Sequence, residues 1–248
     1  MTGPLAEVGH WAAFALRSVP PTLATSLRPT TWLRPVAAVV LGALPLVAVL
    51  GLALGAVIWM QTRGILDRTA GAAELLPTVL AAAVLLELAP VGAGLIVATR
   101  TGASVGAELA AMRAGEQLDA LELLGVSPMR WLVAPRVFAC VVSVPLLHVL
   151  TAALALGSGF AAELLTGDTT WRKYETAVLS ELRLGDVLPA GAKTLAFGWL
   201  VGVSSCHVGL TARVGAEGVG RAATTSVVVC TLLVLAADVF LVAATRLL

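Results

Sequence analysis

The feature that most constrains this chain is a series of five apolar runs, each long enough to cross a membrane. They cover residues Val36–Trp59, Leu75–Thr99, Val137–Leu165, Val187–Ala212 and Ala222–Thr245. A helix rises about 1.5 Å per residue, so about 20 residues cross a hydrocarbon core of roughly 30 Å. Only 12% of the 248 residues are charged, whereas a soluble domain carries about 25%. The sequence therefore predicts an all-α integral membrane protein with five transmembrane helices.

The segment before the first run has a different pattern. Residues 5–19 place Trp11 and Leu16 on one helical face, and the segment is too short to span. We therefore expect an amino-terminal interfacial amphipathic helix and linker within residues 1–31, with no cleavable signal peptide. The pair Pro20-Pro21 is expected to end this helix, because proline lacks the amide that a helix interior needs.

Small and polar residues within the runs indicate how the helices pack. Gly51 and Gly55 have the spacing of small residues at close helix contacts. Three cysteines lie inside apolar runs and are expected to be small buried hydrophobes rather than metal ligands or disulfides, namely Cys140, Cys206 and Cys230.

Charged residues near the middle of the runs draw attention, namely Glu87, Lys193 and Asp238. Each costs a few kcal/mol if it is exposed to lipid at the middle of the bilayer, so each is expected to face the bundle interior or a wet cavity. Two interpretations stay open. The residues form hydrogen bonds between helices, or they form the polar wall of a substrate cavity or a coupling element.

The stretch between the second and third runs is unusually charged. The small residues 101–106, TGASVG, suggest a hinge, and an amphipathic helix is expected from Glu108 onward. Leu109, Met112, Leu118, Leu121 and Leu124 form its apolar set. Glu116 and Asp119 lie one turn apart and project together. A solvated helix face is the simplest interpretation, but the position between two spans favours a docking element.

Two motifs suggest chemistry that their context does not support. Gly102–Gly106 matches G-x-S-x-G, and with His148 and His207 it would suit an intramembrane serine hydrolase. That motif requires a preceding strand, whereas an apolar helix precedes it here. Gly215–Gly220 resembles a phosphate loop, but no strand precedes it and no GK[ST] follows. Any ATP-driven work must therefore be done by a partner.

In order and spacing, several motifs resemble those of the MlaE/YrbE permease family, the membrane subunits of MCE-associated ABC transporters that move phospholipids or other lipids. The residues that carry the resemblance are Glu87-Leu-Ala-Pro90, Arg100-x-Gly102, Ala107-Glu108-Leu-x-x-Met112, Glu116-Gln-Leu-Asp-Ala-Leu121, Gly125-x-x-Pro128, Pro135-Arg136-x-x-Ala139 and Gly215-Ala-Glu-Gly218-Val-Gly220-Arg221. The resemblance covers about residues 32–248, which are expected to form one MlaE-like permease domain.

The resemblance implies two sets of site residues. A cytoplasmic coupling helix between spans 2 and 3 would dock on an ABC ATPase, and the residues at those positions are Glu108, Met112, Arg113, Glu116, Gln117, Asp119 and Leu121. Candidates for the lipid cavity or for intramembrane polar contacts are Glu87, Arg100, Lys193 and Asp238. The resemblance implies no catalytic residue and no metal site.

The implied function is transport of phospholipid or a related lipid between the inner membrane and periplasmic MCE-domain proteins. The chain would be a transport subunit without enzyme activity or cofactor, and ATP and Mg would be bound by the partner ATPase. The other implied partners are a second copy or a paralogue, a STAS-domain protein in some members, and the membrane lipid, with no nucleic acid.

The implied location is the bacterial inner membrane, with a cytoplasmic amino terminus and a periplasmic carboxyl terminus. Nine of the 16 basic residues lie on the side that this orientation makes cytoplasmic, which favours it only slightly. The alternatives are an autonomous ion-coupled secondary carrier that uses the intramembrane charges, and the intramembrane serine hydrolase.

Overall fold

The computed structural model describes residues 4–66, 75–166, 170–181 and 184–247, and these ranges contain no β-strand. Their helices are α1 (Pro4–Ser26), α2 (Pro29–Leu66), α3 (Leu76–Ala114), α4 (Gln117–Leu123), α5 (Ala134–Thr166), α6 (Trp171–Glu181), α7 (Leu184–Thr211) and α8 (Ala216–Leu247). Helices α2, α3, α5, α7 and α8 contain the five segments that are long and apolar enough to cross a membrane. The predicted all-α membrane fold is confirmed.

Several helices extend well beyond the apolar runs within them. Helix α2 has 38 residues, or roughly 57 Å of helix at 1.5 Å per residue, which exceeds the hydrocarbon thickness. Helix α3 continues past Thr99 to Ala114, and α8 begins at Ala216 rather than at Ala222. An apolar run marks the part of a helix that suits lipid, and the backbone hydrogen bonds continue beyond it.

Helix α1 does not end at the proline pair, so that expectation is wrong. The helix contains Pro20 and Pro21 and continues to Ser26. The Thr22 hydroxyl donates to the Ser18 carbonyl at 2.7 Å, and the Thr25 hydroxyl donates to the Pro21 carbonyl at 2.9 Å. These side-chain bonds tie the turns on either side of the prolines together. Proline also has a helical φ, so the helix continues although the pair removes two backbone donors.

The expected hinge at 101–106 is also wrong, because this segment is a continuous part of α3. Two π-helical turns, Val84–Leu88 and Ala98–Gly102, interrupt the α-helical geometry of α3 without ending the helix. Gly106 lies against α8, and a β-carbon on it would approach Ser226 Cβ to 2.9 Å and the Ala222 carbonyl to 3.1 Å. The small residues therefore serve close helix packing rather than a turn.

The chain divides into two compact units. The first contains the described residues of 1–43, 94–144 and 195–248, and the second contains those of 44–93 and 145–194. The core of the first unit includes Ala15, Val105, Leu109, Val133, Val137, Val203 and Cys206. The core of the second includes Leu80, Val84, Ala89, Ala152 and Ala155. All three cysteines are free and buried, as predicted.

Within the second unit, α2 and α5 approach so closely that only glycine fits between them. A β-carbon on Gly51 would lie 2.8 Å from Leu154 Cβ and 2.9 Å from the Thr151 carbonyl. A β-carbon on Gly55 would collide with the Ala155 carbonyl and the Ser158 hydroxyl. The predicted close contact at Gly51 and Gly55 is confirmed, and it belongs to the α2–α5 pair.

We expect Gly55→Ala to destabilise the protein, because its neighbour is backbone and cannot rotate away. Overpacking of this kind costs about 1–3 kcal/mol. The matched control is Gly157→Ala on α5, where a new β-carbon meets nothing within 4 Å. Thermal unfolding of the purified protein in detergent should show a lower midpoint for Gly55→Ala and an unchanged or higher one for Gly157→Ala. Equal midpoints would contradict the close approach.

Candidate functional site

The stretch expected to be one coupling helix is two helices joined by a left-handed residue. Helix α3 ends at Ala114, and α4 begins at Gln117. Between them, Glu116 has a φ of 58°, a conformation that side chains other than glycine rarely adopt. The Glu116 amide donates to the Arg113 carbonyl at 3.1 Å, so the break is hydrogen-bonded. Helix α4 therefore takes a direction of its own at the end of α3.

The surface of α4 combines polar side chains with exposed leucines. Gln117 and Asp119 are exposed, Leu123 is 90% exposed and Leu124 is 78% exposed. The sequence pattern had placed Leu124 on an apolar face and had not singled out Leu123. Adjacent helical residues point about 100° apart, so a Leu-Leu pair cannot be buried on one narrow face of a short helix. Both leucines are therefore left without a buried environment within the chain.

Three of the predicted coupling residues make contacts within the chain instead. Arg136 Nη2 donates to Glu108 Oε1 at 2.6 Å, which joins α3 to α5. Arg113 Nη1 donates to the Leu210 carbonyl on α7. Met112 packs against the core of the first unit. These residues hold α3 in place, whereas Glu116, Gln117 and Asp119 are exposed and Leu121 is half-buried.

Close backbone contacts attach α3 to two further helices in the first unit. Gly106 faces Ser226 and Ala222 on α8. On α7, a β-carbon at Gly209 would lie 2.8 Å from the Gly106 carbonyl and 2.8 Å from Leu109 Cβ. Contacts between backbones have little room to compress. Gly106 and Gly209 therefore hold α3 closely against α8 and α7.

Two of the four candidate intramembrane residues form an ion pair in the second unit. Lys193 Nζ donates to Glu87 Oε2 at 2.8 Å, and the two side chains are 6% and 44% exposed respectively. Glu87 lies in the π-helical turn Val84–Leu88. Such turns inside α-helices are frequent at functional sites. The ammonium is buried, and the carboxylate that neutralises it stays half accessible.

The other two candidates belong to the first unit. Arg100 is exposed and lies in the second π-helical turn, Ala98–Gly102. Its guanidinium lies against α2, because a β-carbon on Gly42 would come within 3.0 Å of Arg100 Nε. Asp238 is half-buried on α8. The structure thus pairs Glu87 with Lys193, and it places Arg100 on an exposed surface of the first unit.

The sequence analysis did not single out Glu163, which is a buried acid in the second unit. Trp59 Nε1 donates to Glu163 Oε2 at 2.6 Å, and Arg63 Nη1 lies 3.4 Å from both carboxylate oxygens. Burial, with a smaller contribution from the Glu163 charge, raises the pKa of Tyr174 to about 12. The signal in the sequence was a lone acid in the third apolar run, of the same kind that had drawn attention to Glu87.

The family of the chain follows from comparison with known proteins. The family model described as Permease MlaE matches residues 32–244.

The chain belongs to the MlaE permease family.

A probable ABC transporter permease protein of Rickettsia typhi is 33% identical over 229 residues, covering 92% of this chain and 88% of its own. One from Synechocystis is 36% identical over 175 residues, covering 69% and 65%. One from Porphyra purpurea is 39% identical over 159 residues, covering 63% and 60%. The predicted resemblance is confirmed, and this MlaE-family chain is a multi-pass membrane protein.

The hydrolase alternative finds no support in the geometry of this MlaE-family permease. Ser104 is an exposed residue inside the continuous helix α3, so the strand–turn–helix context of a nucleophile elbow is missing around it. In the first unit, the His207 ring packs on Phe14 with centroids 5.1 Å apart. Among the described residues, no hydrogen bond joins Ser104 to a histidine.

We expect that removing the charge of Glu87 and removing that of Lys193 lower the stability of the protein by different amounts. Glu87→Gln removes the carboxylate that accepts a hydrogen bond from a buried ammonium, and loss of one side of a buried pair costs roughly 3 kcal/mol. Lys193→Met leaves a carboxylate that is already half accessible, so it should cost less. The double variant should recover much of the stability that Glu87→Gln loses.

The matched control is Glu217→Gln, which breaks the exposed pair with Arg221, where the side chains are 81% and 66% exposed. Exposed pairs contribute about 0–1 kcal/mol, so this variant should unfold at nearly the parent temperature. Thermal unfolding in detergent measures all four proteins. Equal losses for Glu87→Gln and Glu217→Gln would contradict the role of the buried ammonium.

Proposed function

We propose that this chain is the membrane permease subunit of an ABC transporter that moves phospholipid or a related lipid between the inner membrane and periplasmic MCE-domain proteins. ATP hydrolysis in a separate partner chain, which binds ATP and Mg, drives the transport. The observation that carries the proposal is the exposed helix α4 at the end of α3, a helix that is itself packed tightly on α7 and α8. Family membership supports the ATPase partnership, since the relatives are named as probable ABC transporter permeases.

Helix α4 is the element that we propose the ATPase binds. Its exposed surface presents the carboxylate of Asp119, the amide of Gln117 and the side chain of Leu123. A partner surface that fits them is an apolar groove with a basic or hydrogen-bonding rim. Glu116 contributes through its left-handed backbone, which sets the direction of α4. Glu108, Met112 and Arg113 then attach α3, and with it α4, to the transmembrane helices rather than contacting the ATPase.

The coupling step uses the close contacts of α3. Nucleotide binding closes an ABC ATPase dimer, and a helix held by the ATPase moves with it. Gly106 and Gly209 leave no flexible side chain between α3 and its neighbours to absorb that motion. The spans α7 and α8 therefore move with α3. This coupling requires two discrete arrangements of the spans that the ATPase biases.

The lipid path needs an apolar cavity for the acyl chains and a few polar groups for the headgroup. The spans supply apolar surface, including Leu41, Leu46, Val49 and Leu52 on α2, which are exposed in the single chain. The half-accessible Glu87 and its partner Lys193 are the polar groups that we assign to this path. A second copy or a paralogue, and a STAS-domain protein in some members, would complete the complex. We place the amino terminus in the cytoplasm and the carboxyl terminus in the periplasm.

An ion-coupled carrier is the second candidate, and the Glu87–Lys193 pair is the observation that favours it. A titratable pair inside the membrane with one accessible carboxylate can bind and release a proton. This candidate and the ABC permease differ in their energy source, which transport measurements separate.

We expect Asp119→Lys combined with Leu123→Lys to abolish co-purification of the ATPase from native membranes. The double change removes an exposed acid and an exposed leucine one turn apart on α4. The matched control is Glu175→Lys with Leu179→Lys on α6, an acid and a leucine at the same spacing that are also exposed. The control should retain the ATPase. Equal retention of the ATPase by both double variants would contradict the assignment of α4 as its binding element.

We expect transport of a fluorescent phospholipid in proteoliposomes to require the ATPase and hydrolysable ATP. The permease alone, with or without a pH gradient, should move no lipid above the protein-free background. Transport by the permease alone that responds to the pH gradient and is lost in Glu87→Gln would establish the carrier instead. The assay compares lipid accessible to a quencher on each side of the bilayer over time.

A further inference from the structure

A cavity of about 1430 Å³ in the first unit is lined by an unusual set of charges. It lies among α1, the start of α2, α3 and the segment that leads into α5. Its lining contains five arginines, Arg17, Arg28, Arg100, Arg130 and Arg136, and one acid, Glu108. The whole chain is nearly neutral, with a formal net charge of +1. The lining therefore carries a local excess of positive charge.

The one acid in the lining is already occupied. Glu108 accepts a hydrogen bond from Arg136 at 2.6 Å, so these two charges neutralise each other. Within the part of the chain that the structure describes, no carboxylate lies in ion-pair range of the other four arginines. These four side chains are exposed, so water screens their mutual repulsion, but together they give the cavity a positive potential that attracts anions. The cavity is thus built for a negatively charged ligand.

The backbone around the cavity presents these side chains in a specific way. Arg100 lies in the π-helical turn Ala98–Gly102, and Arg130 lies in the π-helical turn Met129–Val133 before α5. Gly42 leaves room on α2 for the guanidinium of Arg100. A π-helical turn inserts one extra residue into a helix and so redirects the side chains near it. Arg100 and Arg130, two of the four arginines, lie in such turns.

The surroundings of the cavity favour an amphiphilic anion over a small free one. Leu27 and Trp131 line the cavity and are 83% and 71% exposed. On the amphipathic helix α1, which ends just before Leu27, Leu16 and Leu23 are also exposed. Apolar side chains at a membrane interface lie against acyl chains, while arginine forks bind phosphate oxygens. Basic pockets beside transmembrane helices are a known way to bind anionic headgroups.

We propose that the cavity formed by α1, α3 and the start of α5 binds the phosphate of an anionic phospholipid in the membrane surface, with Arg17, Arg28 and Arg130 as its ligands. The acyl chains lie along Leu27 and the apolar side of α1. Bound lipid joins α1 to the segment that leads into α5. The site requires only that the chain sits in a membrane, so it stands whether or not the proposed transport function is correct.

Native mass spectrometry of the purified chain in a neutral detergent tests the site. The chain is titrated with phosphatidylglycerol, with phosphatidylcholine of the same acyl chains, and with inorganic phosphate. Phosphatidylglycerol should be retained and phosphatidylcholine should not. Arg17→Gln with Arg28→Gln and Arg130→Gln should weaken retention by about 100-fold, since each basic residue near a lipid surface contributes about a factor of five.

Two matched variants keep the result interpretable. Arg172→Gln with Lys173→Gln and Arg213→Gln removes three exposed positive charges outside the cavity lining and should change retention by less than about threefold. Arg17→Lys with Arg28→Lys and Arg130→Lys keeps the charges and should restore most of the affinity. A common elution volume and unfolding temperature shows that all three variants are folded.

Three outcomes would overturn the proposal. Equal weakening by the cavity and control variants would show a general charge effect. Displacement of phosphatidylglycerol by millimolar inorganic phosphate would assign the cavity to a free anion. Unchanged lipid retention together with loss of the co-purifying ATPase would assign it to an acidic segment of that partner.

Discussion

Helices inside a membrane gain little from burying apolar side chains against each other, because lipid tails are just as apolar. Their association therefore rests on close backbone packing and on polar pairs, and this chain uses both. Gly51 and Gly55 bring α2 onto α5, and Gly106 and Gly209 bring α3 onto α7 and α8. The Glu87–Lys193 pair adds a polar link between α3 and α7. A chain with ordinary side chains at these glycines would lose the contacts that define the bundle.

The same close packing gives the molecule a way to transmit motion. Soft side chains between two helices would let one move without the other, whereas backbone against backbone does not. Helix α3 runs from the second unit through Gly106 to Ala114, and α4 begins three residues later. Its ties to Arg136 and to the Leu210 carbonyl hold its end in place. Helix α4 itself is mostly exposed, with Gln117, Asp119 and Leu123 at its surface.

Charge is sorted by environment along the chain. The charges at Glu87, Lys193 and Glu163 are neutralised inside the second unit, where lone charges are costly. Four arginines around the cavity in the first unit lack a carboxylate within ion-pair range among the described residues, and exposure to water makes that arrangement tolerable. The ion pairs stabilise contacts between helices, whereas the arginines around the cavity can bind an anion. The π-helical turns appear in both, at Glu87 and at Arg100 and Arg130.

The sequence by itself determined the fold class, the five spans and the family, because hydropathy and motif spacing are local properties of the chain. It also predicted a docking element in the stretch that contains α4, and it identified Gly51 and Gly55 as contact positions. Only the tertiary structure decided that Glu108 pairs with Arg136, that Lys193 pairs with Glu87, and that 101–106 is helix rather than hinge. Small residues are equally typical of a turn and of a tight helix contact, so their pattern does not distinguish the two. The two ion pairs join residues about 30 and about 100 positions apart, and no local pattern links positions so distant. Such choices depend on which helices meet, and that is a property of the packed bundle rather than of any one segment.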